Sequence, residues 1–503
     1  MHSVSSLEDA LSRRAWDEVN DVFDAHFLRL LLLDPALVDR ALDALPEEWF
    51  AEHPRHEMSR ALARSASDPD GLVQQAAQRR FLAWVGSREH PELRDLLGVE
   101  AARIRDSIAH GWYEQASGIA DTMLELIRSA QTVSSEYSDV LPATYVRCGT
   151  AKLLAGDIEA STACYAEALR WARTGGGHPY ARYAREHLAL VHALEERYAD
   201  AAALIEGPFT RSPTDTVTRR LEAPGLLARV LLALSDLDTD EATRLLDFVD
   251  DGIRASEFGW VALHAGATSA IFAGESWDAI HSITSEIVAS AERHGPGSLS
   301  GATLRADLAS LYQAVGDLRA AERTMLTPGL LRRHSGVVTS LARQALLRGR
   351  PEQALNVMLA GESARREHIP TRHLPSGAVV FASAELAASG ALSENTLRLA
   401  ASSVAHHRAF SALAQATPEL REELLPLVGT SADEVPRPWE YLPRIKLTRR
   451  EREMLDALET HATLSEVASA LHVSINTAKT HVRALYRKLG AHSRDEALWL
   501  GKE

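Results

Sequence analysis

Gly156-Asp157-Ile158-Glu159-Ala160-Ser161-Thr162-Ala163-Cys164-Tyr165-Ala166-Glu167-Ala168-Leu169 is the stretch whose reading settles how most of this chain folds. A glycine ends one helix, because it takes the left-handed backbone that other residues avoid. Ile158 anchors the turn, and the small Ser161, five positions after the glycine, lets the second helix approach the first. The same spacing recurs as Gly111–Ala116, Gly274–Ala279, Gly316–Ala321 and Gly349–Ala354, and without the glycine as Glu196–Ala201 and Leu237–Ala242. The small residues fall 33 to 45 positions apart. A helix pair of this kind leaves an apolar face uncovered until a neighbour stacks on it, so such units occur in series. The competing reading is an ordinary helical bundle with coincidental turns. Ala15-Trp16-Asp17-Glu18-Val19 through Phe23 could be one more junction, and Leu45 through Pro54 reads as a turn and a short helix.

Composition agrees with helices. The 503 residues are 46% hydrophobic but only 6% aromatic, so Ala and Leu supply most of the apolar surface, and both lose little entropy in a helix. The net charge of −15 argues, taken whole, against a general nucleic-acid binder. That average hides a split. Residues 444–503 hold eleven Lys and Arg against eight Asp and Glu, a net of +3, which leaves −18 on the rest. Such asymmetry is the mark of a nucleic-acid-binding appendage on an acidic body. The prolines of Val435-Pro436-Arg437-Pro438-Trp439-Glu440-Tyr441-Leu442-Pro443 forbid a continuous helix just before the switch and read as a linker.

The repeated junctions resemble tetratricopeptide repeats, with the irregular, longer spacing of bacterial regulators; Gly156 to Leu169 is the nearest copy. The first ninety residues are similar to the start of the helical superhelix in MalT-like large regulators, where it follows an ATPase domain. Here no Gly-x₄-Gly-Lys-Ser/Thr occurs, so the phosphate cradle and its lysine are both missing.

Residues 447–500 are the most specific part of the chain. Thr448-Arg449-Arg450-Glu451 is a capping box opening a helix with Met454, Leu455 and Leu458 on one face. Thr463-Leu464-Ser465-Glu466 is a second, leading Val467, Ala468 and Leu471 inward. His472-Val473 connects tightly to a third helix, capped by Ser474, running to Leu489 and closed by Gly490. Ser493-Arg494-Asp495-Glu496 is a third capping box and starts a fourth helix. Two short helices joined by such a turn form a helix-turn-helix, whose second helix enters the major groove. At about 100° per residue, Ala478, Val482, Leu485 and Leu489 make an inward stripe. Asn476, Thr480, Arg483 and Arg487 then lie opposite, with Lys479 at the edge. From Ser474 to Gly490 there are four cations and no acid, whereas a merely solvated face mixes signs.

Leu447 to Leu455 and Val473 to Gly490 resemble the LuxR-type DNA-binding domain, with all four helices in order. The resemblance implies base-edge contacts from Lys479, Thr480 and Arg483, beside which Asn476 lies on the same outward face. It implies phosphate contacts from Ser474, Thr477, His481 and Lys488, with Arg487 on the same basic face. Family dimers commonly meet through the fourth helix, which would put Leu498 and Trp499 at or near a dimer contact; the alternative is that Trp499 packs onto its own domain. The chain departs from the family at His461-Ala462-Thr463-Leu464-Ser465, at Ala478 and at Ala484, so an operator preference does not carry over.

The expected fold is all-α: a tetratricopeptide-like helical-repeat superhelix followed by a four-helix LuxR-type helix-turn-helix domain. The expected boundaries are an N-terminal helical segment at 1–95, repeats at 96–426, a Pro-rich linker at 427–446 and the DNA-binding domain at 447–503. No catalytic constellation, metal ligand set or cofactor motif stands out, so neither enzyme nor cofactor is expected. His53-Pro54-Arg55-His56 and His406-His407 read as surface histidines, and Cys148 and Cys164 as small buried residues. No signal pattern or membrane span is seen, so a cytoplasmic protein, on the nucleoid when bound to DNA, is expected. The expected function is an operator-binding transcriptional regulator, a homodimer on double-stranded DNA, whose repeats bind a peptide, protein or small-molecule effector. The alternative is a repeat-based adaptor with weak or vestigial DNA binding.

Overall fold

At all seven repeat junctions the chain turns through one residue in the left-handed region. Glycine supplies it at 111, 156, 274, 316 and 349, with φ between +68° and +84°, and Glu196 (+59°) and Leu237 (+64°) supply it where glycine is absent. The N–H of the next residue reaches back five positions: Trp112 to Ser107, Asp157 to Lys152, Arg197 to His192, Asp238 to Ala233, Glu275 to Ala270, Asp317 to Tyr312 and Arg350 to Ala345, all at 2.8–2.9 Å. The left-handed residue itself reaches back three. This pair of bonds is the Schellman closure, which satisfies carbonyls that a helix end otherwise leaves open. Asp157, Asp238 and Asp317 then cap the next helix through their carboxylates, so one residue both closes and opens. The small residues 116, 161, 201, 242, 321 and 354 are fully buried, and Ala279 half-buried. The N-terminal junction follows the same rule, with Arg14 at φ +53° and Ala15 donating to Ala10.

This is a computed structural model that describes residues 2–64, 72–130, 137–174, 177–209, 216–360, 370–431, 433–440, 447–489, 493–494 and 497–498. Among the described residues every regular element is helical, and no helix is long and apolar enough to cross a membrane. The first helices of successive hairpins stack in order: Leu141–Leu154, Tyr180–Leu194, Thr216–Ser235, Gly259–Ala273, Leu299–Ala314, Ser335–Leu347 and Pro375–Ser389. One apolar cluster, from Val146 to Trp439, runs through all of them but the last. Close approach inside a hairpin shows at Gly149, where a Cβ would lie 2.7 Å from the buried Tyr165 ring.

The stacked array curls back on itself. The Glu196 carboxylate accepts the Ser376 N–H at 2.7 Å across 180 positions, and the Ser235 hydroxyl donates to the Arg408 carbonyl at 2.6 Å across 173. Arg408 also pairs with Asp236 at 2.9 Å. Tyr198 and Leu237 pack against the cluster built from Ala378 to Val435. The backbone of Gly111 lies against Glu292, whose carbonyl oxygen would be 2.6 Å from an added Cβ.

The N-terminal helices bury their own cluster around Leu7, Phe23, Leu30 and Phe50. The Trp16–Leu33 helix breaks at His26. The N–H groups of Leu28 and Arg29 donate to the carboxylate of Asp139, at 2.8 and 3.0 Å, and Asp139 also meets the buried His178 at 3.0 Å. One expectation fails here. His56 is not a surface histidine; it is buried, with Nε2 at 3.1 Å from Asn20 and 3.2 Å from Asp24 and its ring stacked on Trp49. Burial pushes its pKa down, against the pull of Asp24. Spacing alone could not show that Trp49 and Phe23 close over it. Cys148 and Cys164 are free and buried, and burial raises both thiols, Cys164 to about 11.

No atom lies within 4 Å of a Cβ added at Gly316, so Gly316→Ala should cost about 1–2 kcal/mol from backbone conformation alone. Glu196→Gly relieves the same conformation but leaves the Ser376 N–H without its carboxylate, so it should give no gain. Denaturation midpoints in urea check both.

Candidate nucleic-acid interface

Three helices of the C-terminal unit are described: Arg449–Thr460, Leu464–Ala470 and Ile475–Leu489, the side chain of Leu489 lying outside the described residues. Both expected capping boxes are formed: the Thr448 and Thr463 hydroxyls accept from Glu451 and Glu466, whose carboxylates accept the two threonine N–H groups in return. Ser474 caps the third helix by accepting the Thr477 N–H at 3.1 Å. Met454, Leu455, Leu458, Val467, Leu485 and Ala497 form the core, with Val482, Tyr486 and Leu498 packed against it. Ala478 and Leu485 on the third helix are fully buried.

The turn between the second and third helices runs through His472 at φ +56°. Val473 N–H reaches back five residues to Ala468 at 2.9 Å, the same closure that ends the repeat helices. A non-glycine residue here carries a steric cost.

The opposite face of the third helix is open. Ser474, Asn476, Thr477, Lys479, Thr480, His481, Arg483, Arg487 and Lys488 are all exposed. The Thr480 hydroxyl donates to the Asn476 carbonyl at 3.0 Å, and the Ser474 and Thr477 hydroxyls are 2.8 Å apart. Among the described residues no carboxylate pairs with Lys479, Arg483 or Arg487. Lys488 is different: its ammonium sits 2.6 Å from Glu451. The Glu451 carboxyl is held below the usual carboxylate range, chiefly by Lys488 and then by the Thr448 N–H.

Three features escaped the sequence reading. The Glu451–Lys488 pair joins helices 37 positions apart, beyond any local spacing. Arg494 donates to the carbonyls of Leu458, His461 and Ala462, closing the end of the first helix. Ile475, 44% exposed, is a large apolar side chain at the entry to the third helix, one turn before Lys479. Gly490, Asp495, Glu496 and Trp499 lie outside the described residues; Leu498 is half-buried against its own domain.

A short helix, a left-handed turn and a second helix with a buried seam and a basic outer face define a helix-turn-helix DNA-binding unit. Residues 446–500 match the model of the luxR family of bacterial regulatory proteins. The chain is similar to the spore germination protein GerE of Bacillus subtilis, 36% identical over 59 residues that cover 12% of this chain and 80% of that protein. It is also similar to the CsgBAC operon transcriptional regulatory protein of Escherichia coli and to the probable csgAB operon transcriptional regulatory protein of Salmonella typhimurium. Each is 40% identical over 52 residues, 10% of this chain and 24% of the relative. The match thus spans about a quarter of the length of those two operon regulators. By its C-terminal domain, this chain belongs to the luxR family of bacterial regulatory proteins.

His472→Gly should be neutral or stabilising in thermal melts, whereas His472→Val, which puts a stiff β-branched side chain in the same disfavoured conformation, should lower the midpoint. The Glu451 contribution is present above the unfolded carboxylate value of about 4.3 and is lost as pH falls through its lower folded value. Acid titration of Glu451→Gln should therefore lack that slope.

Proposed function

We propose that this protein is an operator-binding transcriptional regulator that reads DNA through the Ile475–Leu489 helix. The observation that carries this is the open basic face, where Lys479, Arg483 and Arg487 project without carboxylate partners among the described residues. Lys479, Thr480, Arg483 and Asn476 are assigned to base edges in the major groove. Ser474, Thr477, His481, Arg487 and Lys488 are assigned to phosphates, which fix register without specifying sequence. Lys488 reaches phosphate by exchanging its Glu451 contact, so its share is smaller than that of Arg487. Ile475, exposed beside Lys479, suits the methyl group of thymine.

The active form on DNA is a homodimer, with the chain end that carries Leu498 and Trp499 at the contact. The helical-repeat body, of the tetratricopeptide type, receives a peptide or protein effector that shifts the population of DNA-competent arrangements. The protein works in the cytoplasm.

Binding to duplexes selected from a random pool tests the reading. Lys479→Ala and Arg483→Ala should each cost about 1–3 kcal/mol on the selected sequence and relax the preference at one position. Arg487→Ala should weaken all sequences alike and flatten the salt dependence by about one counterion. A full-length chain that binds selected and scrambled duplexes equally would sink the proposal.

A further inference from the structure

Residues 435–439, on the way to the DNA-binding domain, are fastened to the body. The Pro418–Val428 helix ends at Gly429, and the chain then lies back against the repeats. Val435 is buried, and the buried Arg421 clamps the carbonyls of Val435 and Pro436 at 2.9 and 3.0 Å. Trp439 is only 7% exposed. Its indole N–H donates to the Ser310 carbonyl at 3.3 Å. The guanidinium of buried Arg343 lies 4.1 Å from its ring centroid, oriented by Gln313 at 2.7 Å and Gln415 at 2.6 Å. A desolvated guanidinium over an indole is among the stronger cation–π arrangements. Prolines at 436 and 438 leave fewer backbone donors to satisfy.

We propose that residues 435–439 are a docked strap that limits how far the DNA-binding domain can move from the acidic body, and that undocking it strengthens DNA binding. The proposal rests on the DNA-binding reading above. From Trp439 to Leu447 the tether is eight residues, a reach of at most about 28 Å. With the strap free the tether starts at Gly429 and is eighteen residues long, a reach of about 60 Å. The body carries a net of −18 and the domain +3, so the body's carboxylates compete with phosphates for the basic face. Their effective concentration at that face falls as roughly the −3/2 power of tether length, about threefold between the two states. The competition is electrostatic and fades as salt shortens the screening length.

The test uses the full chain and a mixed-sequence duplex of about 30 base pairs, at about 50 mM and about 500 mM NaCl, salts chosen for their different screening. Trp439→Ala removes the anchor. An insertion of about ten Gly and Ser residues after Glu440 lengthens the tether to the undocked reach and leaves the dock untouched. Both should bind tighter than wild type at low salt, by up to about threefold, with no difference at high salt, while Trp439→Phe, which keeps the ring under Arg343, should stay near wild type. If Trp439→Ala loses helical signal, the insertion decides alone. Unchanged or weaker low-salt binding by the insertion chain overturns the strap while leaving the DNA-binding reading intact. No binding by any of the chains overturns both.

Discussion

Two hydrogen bonds at each of the seven repeat junctions govern the helical body: the return to the carbonyl five residues back and the shorter return three residues back. Together they fix the chain in a left-handed residue and pass it directly to the next helix. Where Asp157, Asp238 or Asp317 follows, its carboxylate opens that helix at once, and no loop remains in which the crossing could vary. The hairpin angle is thereby set, and the small residue five positions on faces the preceding helix. Ala or Ser there lets the helices close, and the face left uncovered is met by the next hairpin. Repeated along the chain, this fixed step produces the curl that brings position 196 against 376.

At the seam where the curl closes, the step uses residues other than glycine. Glu196 and Leu237 hold the left-handed conformation without being glycine, and so does Arg408 at the end of the Glu394–His407 helix. Each costs about 1–2 kcal/mol in backbone strain. All three side chains are engaged across the seam: Glu196 on the Ser376 N–H, Leu237 in the far apolar cluster, Arg408 on Asp236. A glycine would ease the backbone and remove the contact. Strain is retained where a long-range partner offsets it.

This accounts for what could be read from the sequence. A turn needing φ > 0 advertises itself as glycine, so five junctions were plain and the two that use Glu196 and Leu237 were faint. Capping boxes and an apolar stripe are local patterns too, and they placed the three helices of the C-terminal unit and the basic face of the third. Contacts set by the curl have no local signature. Neither the Glu196–Ser376 bond, nor Asp139 under the broken Trp16–Leu33 helix, nor the burial of His56 follows from spacing. The same holds for Lys488, which reads as a free cation on its own helix and is paired only because a second helix brings Glu451 beside it. Prolines at 436 and 438 correctly excluded a helix, but excluding a helix is not the same as leaving the chain loose.

The charge distribution ties the two parts together. A face that gains its affinity by releasing counterions from phosphate is attracted to any dense array of carboxylates within a screening length of about 10 Å. An acidic body tethered to such a face is therefore, on the strap proposal, a competitor for it. How strongly it competes depends on tether length rather than on a specific contact. The buried Arg421 and Arg343, which hold the segment between Val435 and Trp439, belong to the body's packing but act on the reach of the domain that follows.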